Sequence, residues 1–182
     1  MVLLMALAIS APALEAQQVD AYFGFGQLPS HGPSPHLDGP FADFGVNVFL
    51  NKQFGVGWQA AWRWVSGDYA DMKYDTTFQT FDGIFQPSIL RTKRVSPEIR
   101  AGLGFNKVHF QFDDQQSCDQ VSGCPNSHFF QGHVAGAARI YLSEHIFVRP
   151  AVDVHYVPQF HLFGSSWAPR YSVSFGYTFG RE

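Results

Sequence analysis

Between residues 54 and 65 the chain sets Phe54, Val56, Trp58, Ala60, Trp62 and Trp64 on one parity and Gly55, Gly57, Gln59, Ala61 and Arg63 on the other. A period of two sends these sets to opposite faces of an extended strand, and no helix distributes residues in this way. Seven further stretches repeat the pattern, near 18–27, 42–51, 79–91, 96–110, 129–142, 146–157 and 171–179. Large apolar side chains such as Phe23, Val46, Phe81, Leu103, Val134, Val152 and Phe175 hold one parity, and Gly, Ala, Ser and scattered charges hold the other. In the stretch 79–91 the apolar set runs Phe81, Gly83, Phe85, Pro87 and Ile89. Pro87, Pro97 and Pro150 all fall inside expected strands, where a proline cannot donate to a ladder.

The connections are as constraining as the strands. Asn51-Lys52-Gln53, Thr92-Lys93-Arg94 and Ser143-Glu144-His145 are tight, whereas 28–40, 67–78, 111–128 and 158–169 are long. An even number of strands with short turns at one rim and long loops at the other describes an up-and-down transmembrane barrel with both termini on the short-turn, periplasmic side. The length of 182 residues suits one such domain, expected over 17–182. Residues 1–16 are expected to be a cleavable secretory signal, because Val2–Ile9 is an apolar run too short to span a bilayer and small residues with Pro12 follow it. No later apolar stretch is long enough for a membrane helix, so a mature chain in a membrane crosses it with strands.

Two opposite proteins share this periodicity. A soluble lipocalin-like barrel points its large apolar residues inward around a ligand, and a membrane barrel points them outward at lipid. The other parity decides: Gly24, Gly45, Gly57, Gly102, Ala135, Ala151, Ser172 and Ser174 make a poor aqueous surface but fit a narrow interior. Charged residues are only 15% of the chain and aromatics reach 16%. That leaves too few charges for a water-facing exterior. The net charge of −3 excludes a basic field for nucleic acid. Trp58, Trp62, Trp64, Tyr156, Tyr171 and Tyr177 are then candidates for the lipid-facing band and its girdles.

Among the small inward residues stand Asp20, Asp43, Arg63, Glu98, Arg100, His133, Arg139, Arg149, Asp153 and His155. Both signs are present, and charges enclosed by eight strands must pair, so a lumen polar network is expected. An interior of this size is roughly filled by side chains, which leaves at most a narrow pore. Cys118 and Cys124 lie close together in a polar loop, and export to an oxidising compartment favours a disulfide between them.

The chain resembles the small eight-stranded outer-membrane β-barrel proteins, in the style of the OmpA transmembrane domain and OmpX. The resemblance covers about 18–180 and rests on strand count, loop asymmetry and the ending Tyr171-Ser172-Val173-Ser174-Phe175-Gly176-Tyr177-Thr178-Phe179. In that family the final aromatic strand is read by the barrel-assembly machinery; here Gly180-Arg181-Glu182 follow the last aromatic. The resemblance implies an all-β, monomeric barrel in the outer membrane, among outer-membrane lipid and lipopolysaccharide. Its members range over anchoring, adhesion, narrow pores and lipid A modification.

No catalytic, cofactor-binding or metal-ligating set is expected. His31, His36, His128 and His161 match no tight ligand spacing. His133, His155 and Ser172 could be combined into a lipid A hydrolase only on the lipid-facing rim, and their parity puts them inside. The long loops, one restricted by Pro29, Pro33, Pro35 and Pro40 and another by the expected disulfide, suit binding outside the cell. The expected role is structural or surface-interacting, with an enzyme, a narrow pore or a soluble ligand-binding barrel as alternatives.

Overall fold

A computed structural model describes residues 18–29, 39–63, 67–69, 72–112, 127–158 and 165–180. The expected signal segment, Cys118 and Cys124, Trp64, His31, His36 and His161 lie outside these residues. The strands are β1 (Gln18–Leu28), β2 (Gly39–Phe49), β3 (Phe54–Arg63), β4 (Gly67–Tyr69), β5 (Met72–Phe85), β6 (Val95–Phe112), β7 (Ser127–Tyr141), β8 (Ile146–Tyr156) and β9 (Trp167–Phe179). They pair antiparallel in the order β3-β2-β1-β9-β8-β7-β6-β5, and β3 pairs with β5 to close the ring. The short β4 joins only the upper end of β5 among the described residues. The architecture is thus a closed eight-stranded antiparallel barrel.

Period-two patterning converts directly into an inside and an outside. Phe81 is 60% exposed and Phe175 62%, while their neighbours Asp82 and Ser174 are buried in the lumen. The apolar girth is therefore external and the charges are internal, the inverse of a water-soluble ligand-binding barrel. Rings pack along the outer wall as Phe44 on Trp58 at 6.2 Å, Phe54 on Phe85 at 5.3 Å and Tyr156 on Trp167 at 4.7 Å. Large inward side chains fit only where the wall opposite is bare. A Cβ on Gly45 would stand 2.2 Å from the Tyr22 ring, and one on Gly176 equally close to Phe147.

The strands extend further than the periodicity indicates at the end away from the tight turns. β5 begins at Met72 rather than near 79, and β6 runs for 18 residues, paired with β5 as far as Met72 opposite Phe112. A membrane strand needs only about 9–11 residues. The upper part of β5, β6 and β7 therefore stands above the bilayer as a raised wall. Its residues escaped the periodicity because the pattern inverts there. Outward positions become polar at the level of Thr77, Lys107 and His128, while inward positions become apolar, as at Leu28, Phe78 and Val108. Water, rather than lipid, faces that part of the wall.

The other end also differs. β5 stops at Phe85, and Pro87 stands at the N-terminus of a single 3-10 turn, Ser88–Leu90, so neither Pro87 nor Ile89 belongs to a strand. The proline thus starts a turn, where its fixed φ is useful and no ladder donor is missed. Pro97 and Pro150 do stand within β6 and β8, and the β7–β8 register lapses at Ala138 and Arg139, alongside Pro150.

An arginine on the outer wall tests the inside-out assignment. Val173 is exposed at the middle of β9, and Val173→Arg is expected to cost about 2–4 kcal/mol in denaturant titration of the barrel in phospholipid bilayers. A neutral result would place that face against water or protein.

Candidate functional site

The lumen is where the sequence concentrates its chemistry, and all eight barrel strands contribute to it. Glu98, on β6, is the hub of its lower half. Its Oε1 accepts from Nε of Arg149 at 2.6 Å and from Nε of Arg100 at 3.0 Å, and its Oε2 lies 3.5 Å from Nε of Arg139. Arg139 also pairs with Asp20, which accepts from Thr178 Oγ1 and Gln18 Nε2, each at 2.8 Å. Arg100 donates onward to Asn47 Oδ1 at 2.8 Å and to the Tyr22 hydroxyl at 3.0 Å, and it lies 3.9 Å from Asp82. The Arg149 guanidinium covers the face of Tyr22 at 4.8 Å.

Asp82 carries the network upward. Its Oδ1 is 2.7 Å from Nδ1 of His133, whose Nε2 is 3.3 Å from Asp153 Oδ1. Asp153 receives Nη2 of Arg170 at 2.9 Å, and the same nitrogen reaches Asp43 at 3.8 Å. Asp43 is held by Ser174 Oγ at 3.1 Å and Gln59 Nε2 at 3.4 Å. An imidazole ring with a carboxylate oxygen at each nitrogen can donate to both only as the imidazolium. In that form His133 balances the lumen, since five buried carboxylates (Asp20, Asp43, Asp82, Glu98, Asp153) face four buried guanidiniums (Arg100, Arg139, Arg149, Arg170) among the described residues.

Above this column Leu28, Phe41, Ala61, Phe78, Val108, Val157 and Ala168 form one buried apolar cluster with Phe129 against it, and Tyr22, Tyr141 and Phe147 form another within its lower half. His155 marks the upper boundary, stacked on His133 at 4.7 Å and on Phe78 at 4.6 Å. Neither of its ring nitrogens has a hydrogen-bond partner among the described residues, nor does Ser172 Oγ. No Ser172–His155 hydrogen bond therefore prepares a nucleophile there, and both nitrogens of His133 are occupied by carboxylates. Arg63 stands apart from this column, at the upper end of β3, with its guanidinium against Gly39.

Asp20, Asp43, Glu98, Arg100, His133, Arg139, Arg149 and Asp153 thus meet in one ionic column, with His155 as its lid. Sequence reasoning left out Asp82, which bridges the two halves, and Arg170, which ties Asp153 to Asp43 in the upper one. Asp82 shares the inward parity of Ile84 and Gln86, and Arg170 that of Ser172 and Ser174, so extending β9 one step towards its start would have found the latter.

The sequence matches the family model described as outer membrane protein beta-barrel domain over residues 1–179. The chain belongs to that family. As an outer-membrane β-barrel protein it resembles several solved structures in fold. The N-terminal β-barrel domain of Pseudomonas aeruginosa OprF aligns with a TM-score of 0.60 and 11% identity, covering 90% of this chain and 98% of that one. Ail, the attachment invasion locus protein of Yersinia pestis, solved with the heparin analogue sucrose octasulfate, aligns at 0.61 and 12%, covering 89% and 98%. Pseudomonas aeruginosa OprG aligns at 0.59 and 14%, covering 89% and 95%. No curated protein matches this chain significantly in sequence. Identities this low carry the architecture alone. Membership of the outer-membrane family sets the exposed apolar wall in lipid, with the ionic column buried inside.

The hub makes an unequal demand on its partners. Glu98→Ala strands three buried guanidiniums and is expected to destabilise the barrel by about 3–5 kcal/mol, whereas adding Arg149→Met to it should recover part of the loss. Guanidinium titration followed by heat-sensitive gel mobility measures both, and an additive double variant would dissolve the hub into independent contacts.

Proposed function

We propose that this outer-membrane barrel serves as a structural and surface-interaction component of the envelope, adhesion-like, with no catalysis of its own. The observation that carries the reading is a raised wall over a sealed lumen: β5, β6 and β7 rise beyond the length a bilayer needs, while an apolar plug closes the interior beneath them. A rigid wall presenting polar outward residues positions the loops it carries, and loops set on a stable scaffold are where binding is usually found. An interior filled by buried side chains from all eight barrel strands argues against solute passage. The attachment protein Ail shares the architecture, which makes the reading plausible for a barrel of this shape without transferring any ligand.

In this reading the protein acts as a monomer. It is inserted by the barrel-assembly machinery, lies among outer-membrane lipid and lipopolysaccharide, and meets an extracellular partner through the long connections 29–38 and 113–126. The short turns and both termini face the periplasm.

The test compares cells displaying the full chain with cells displaying a variant in which a four-residue turn replaces 113–126. The variant should keep its heat-sensitive mobility while adhesion to matrix-coated surfaces falls several-fold towards that of cells without the barrel. Equal adhesion by all three strains would remove the surface-interaction role. Steady conductance in planar bilayers would overturn the sealed lumen, and conversion of lipid A by the purified barrel would overturn the absence of catalysis.

A further inference from the structure

The rim of tight turns carries a feature that neither the lumen nor the opposite rim explains. Its connections bear Lys52, Arg91, Lys93 and Arg94 against a single acid, Glu144. The opposite end of the chain's hairpins, taken as 28–40, 64–76 and 106–126 with the strand ends these include, bears Asp38, Asp68, Asp71, Asp75, Asp113, Asp114 and Asp119 against Lys73 and Lys107. Charge is therefore polarised along the barrel axis, cationic at the tight turns and anionic at the long loops.

The cations are held on a built surface. Arg91 Nη1 donates to the Lys52 carbonyl at 3.0 Å, Gln53 Nε2 donates to Ser88 Oγ at 3.2 Å, and the Gln86 amide donates to the Gln53 carbonyl at 2.7 Å. These bonds fasten the β5–β6 connection onto the β2–β3 turn. Exposed apolar side chains accompany the charges: Ile89 is 94% exposed and Leu90 63%, with Leu50 and Leu142 exposed on neighbouring turns. Leu50 and Leu142 continue the outward parity of Val48 and Ile140, so the lipid-facing band runs on into the turns. Beside them Lys93 and Arg94 line a cleft of about 570 Å³ that reaches Leu142 and His145.

An apolar band that ends in cations is the profile of a bilayer interface, where aliphatic tips enter the acyl region and long basic side chains reach the phosphates. A partner dissolved in the periplasm would not require the apolar residues to continue the lipid-facing wall. We infer that the tight-turn rim is a binding surface for anionic phospholipid, with Ile89 and Leu90 inserted among the acyl chains and Lys52, Arg91, Lys93 and Arg94 gathering phosphatidylglycerol or cardiolipin headgroups. The surface is independent of whatever the opposite rim binds. It ties the barrel to the phospholipid leaflet, and the acidic connections at the other end leave that leaflet the better electrostatic match.

Spin-labelled lipid association tests this with the full barrel reconstituted in phosphatidylcholine vesicles. The wild-type chain should select labelled phosphatidylglycerol and cardiolipin over labelled phosphatidylcholine by about threefold or more, in a salt-sensitive way. The variant Lys52→Gln/Arg91→Gln/Lys93→Gln/Arg94→Gln should show a ratio near one with its heat-sensitive mobility intact. Should that variant fail to fold, Lys93→Gln/Arg94→Gln, which leaves the Arg91–Lys52 tie in place, should still lose about half of the selectivity. Absence of selectivity in the wild type, or its full retention in either folded variant, would overturn the inference and leave the rim to a periplasmic partner.

Discussion

The charge enclosed by the wall governs the rest of this structure. Glu98 cannot be left in a lumen without cations, and three arginines from three strands converge on it. Arg139 and Arg100 then place their remaining donors, which draws in Asp20, Asn47, Tyr22 and Asp82, and through His133 the upper group of Asp153, Arg170 and Asp43. Desolvation of so many ions is tolerable only when nearly every pair is made. Small residues make room for the rings set among these ions, as Gly45 does for Tyr22 and Gly176 for Phe147 on the paired strands.

The barrel meets a different solvent at each level, and its inward and outward faces exchange character accordingly. Through the bilayer the outside is Phe, Val, Leu and Ile, and the inside is ionic. Above it Lys107 and His128 face out while Phe78 and Val108 face in, so the upper barrel is built like a small water-soluble one. The apolar cluster formed by that inversion lies directly above the ionic column, and a low local dielectric strengthens the pairs there. His155, stacked between His133 and Phe78, is where the two regimes touch.

This exchange also explains what could be read from the sequence. Segments wholly within the bilayer, such as 54–63 and 171–179, announce their strands, parity and inward charges, because lipid on one side and ions on the other give maximum contrast. Residues 72–78 look like a loop, since Asp75, Thr76 and Thr77 show no apolar face and Phe78 has the parity opposite to Phe81. Asp82 was legible by parity, yet its role was not, since a bridge between Arg100 and His133 depends on how far β5 and β6 are staggered around the ring. Pro87 read as a strand residue because Phe85 and Ile89 flank it at the right spacing, whereas the 3-10 turn that it starts leaves no trace in periodicity.

An apolar core would hold eight strands together more cheaply, so the ionic lumen requires a reason. In a soluble barrel, water on one face distinguishes inside from outside; in a membrane an apolar lumen would make the two faces equivalent. A strand could then slip by one residue and reverse every side chain without penalty. With this lumen, a one-residue slip of β6 would carry Glu98 and Arg100 into lipid, and a slip of β7 would carry His133 and Arg139 there. At about 2–4 kcal/mol for each arginine at the midplane, before the abandoned partners are counted, such registers lie far above the native one. The buried ions thus act chiefly by excluding alternatives. Their distribution over seven of the eight strands, with Gln59 of β3 bonded to Asp43, means that none of those seven can be misplaced alone.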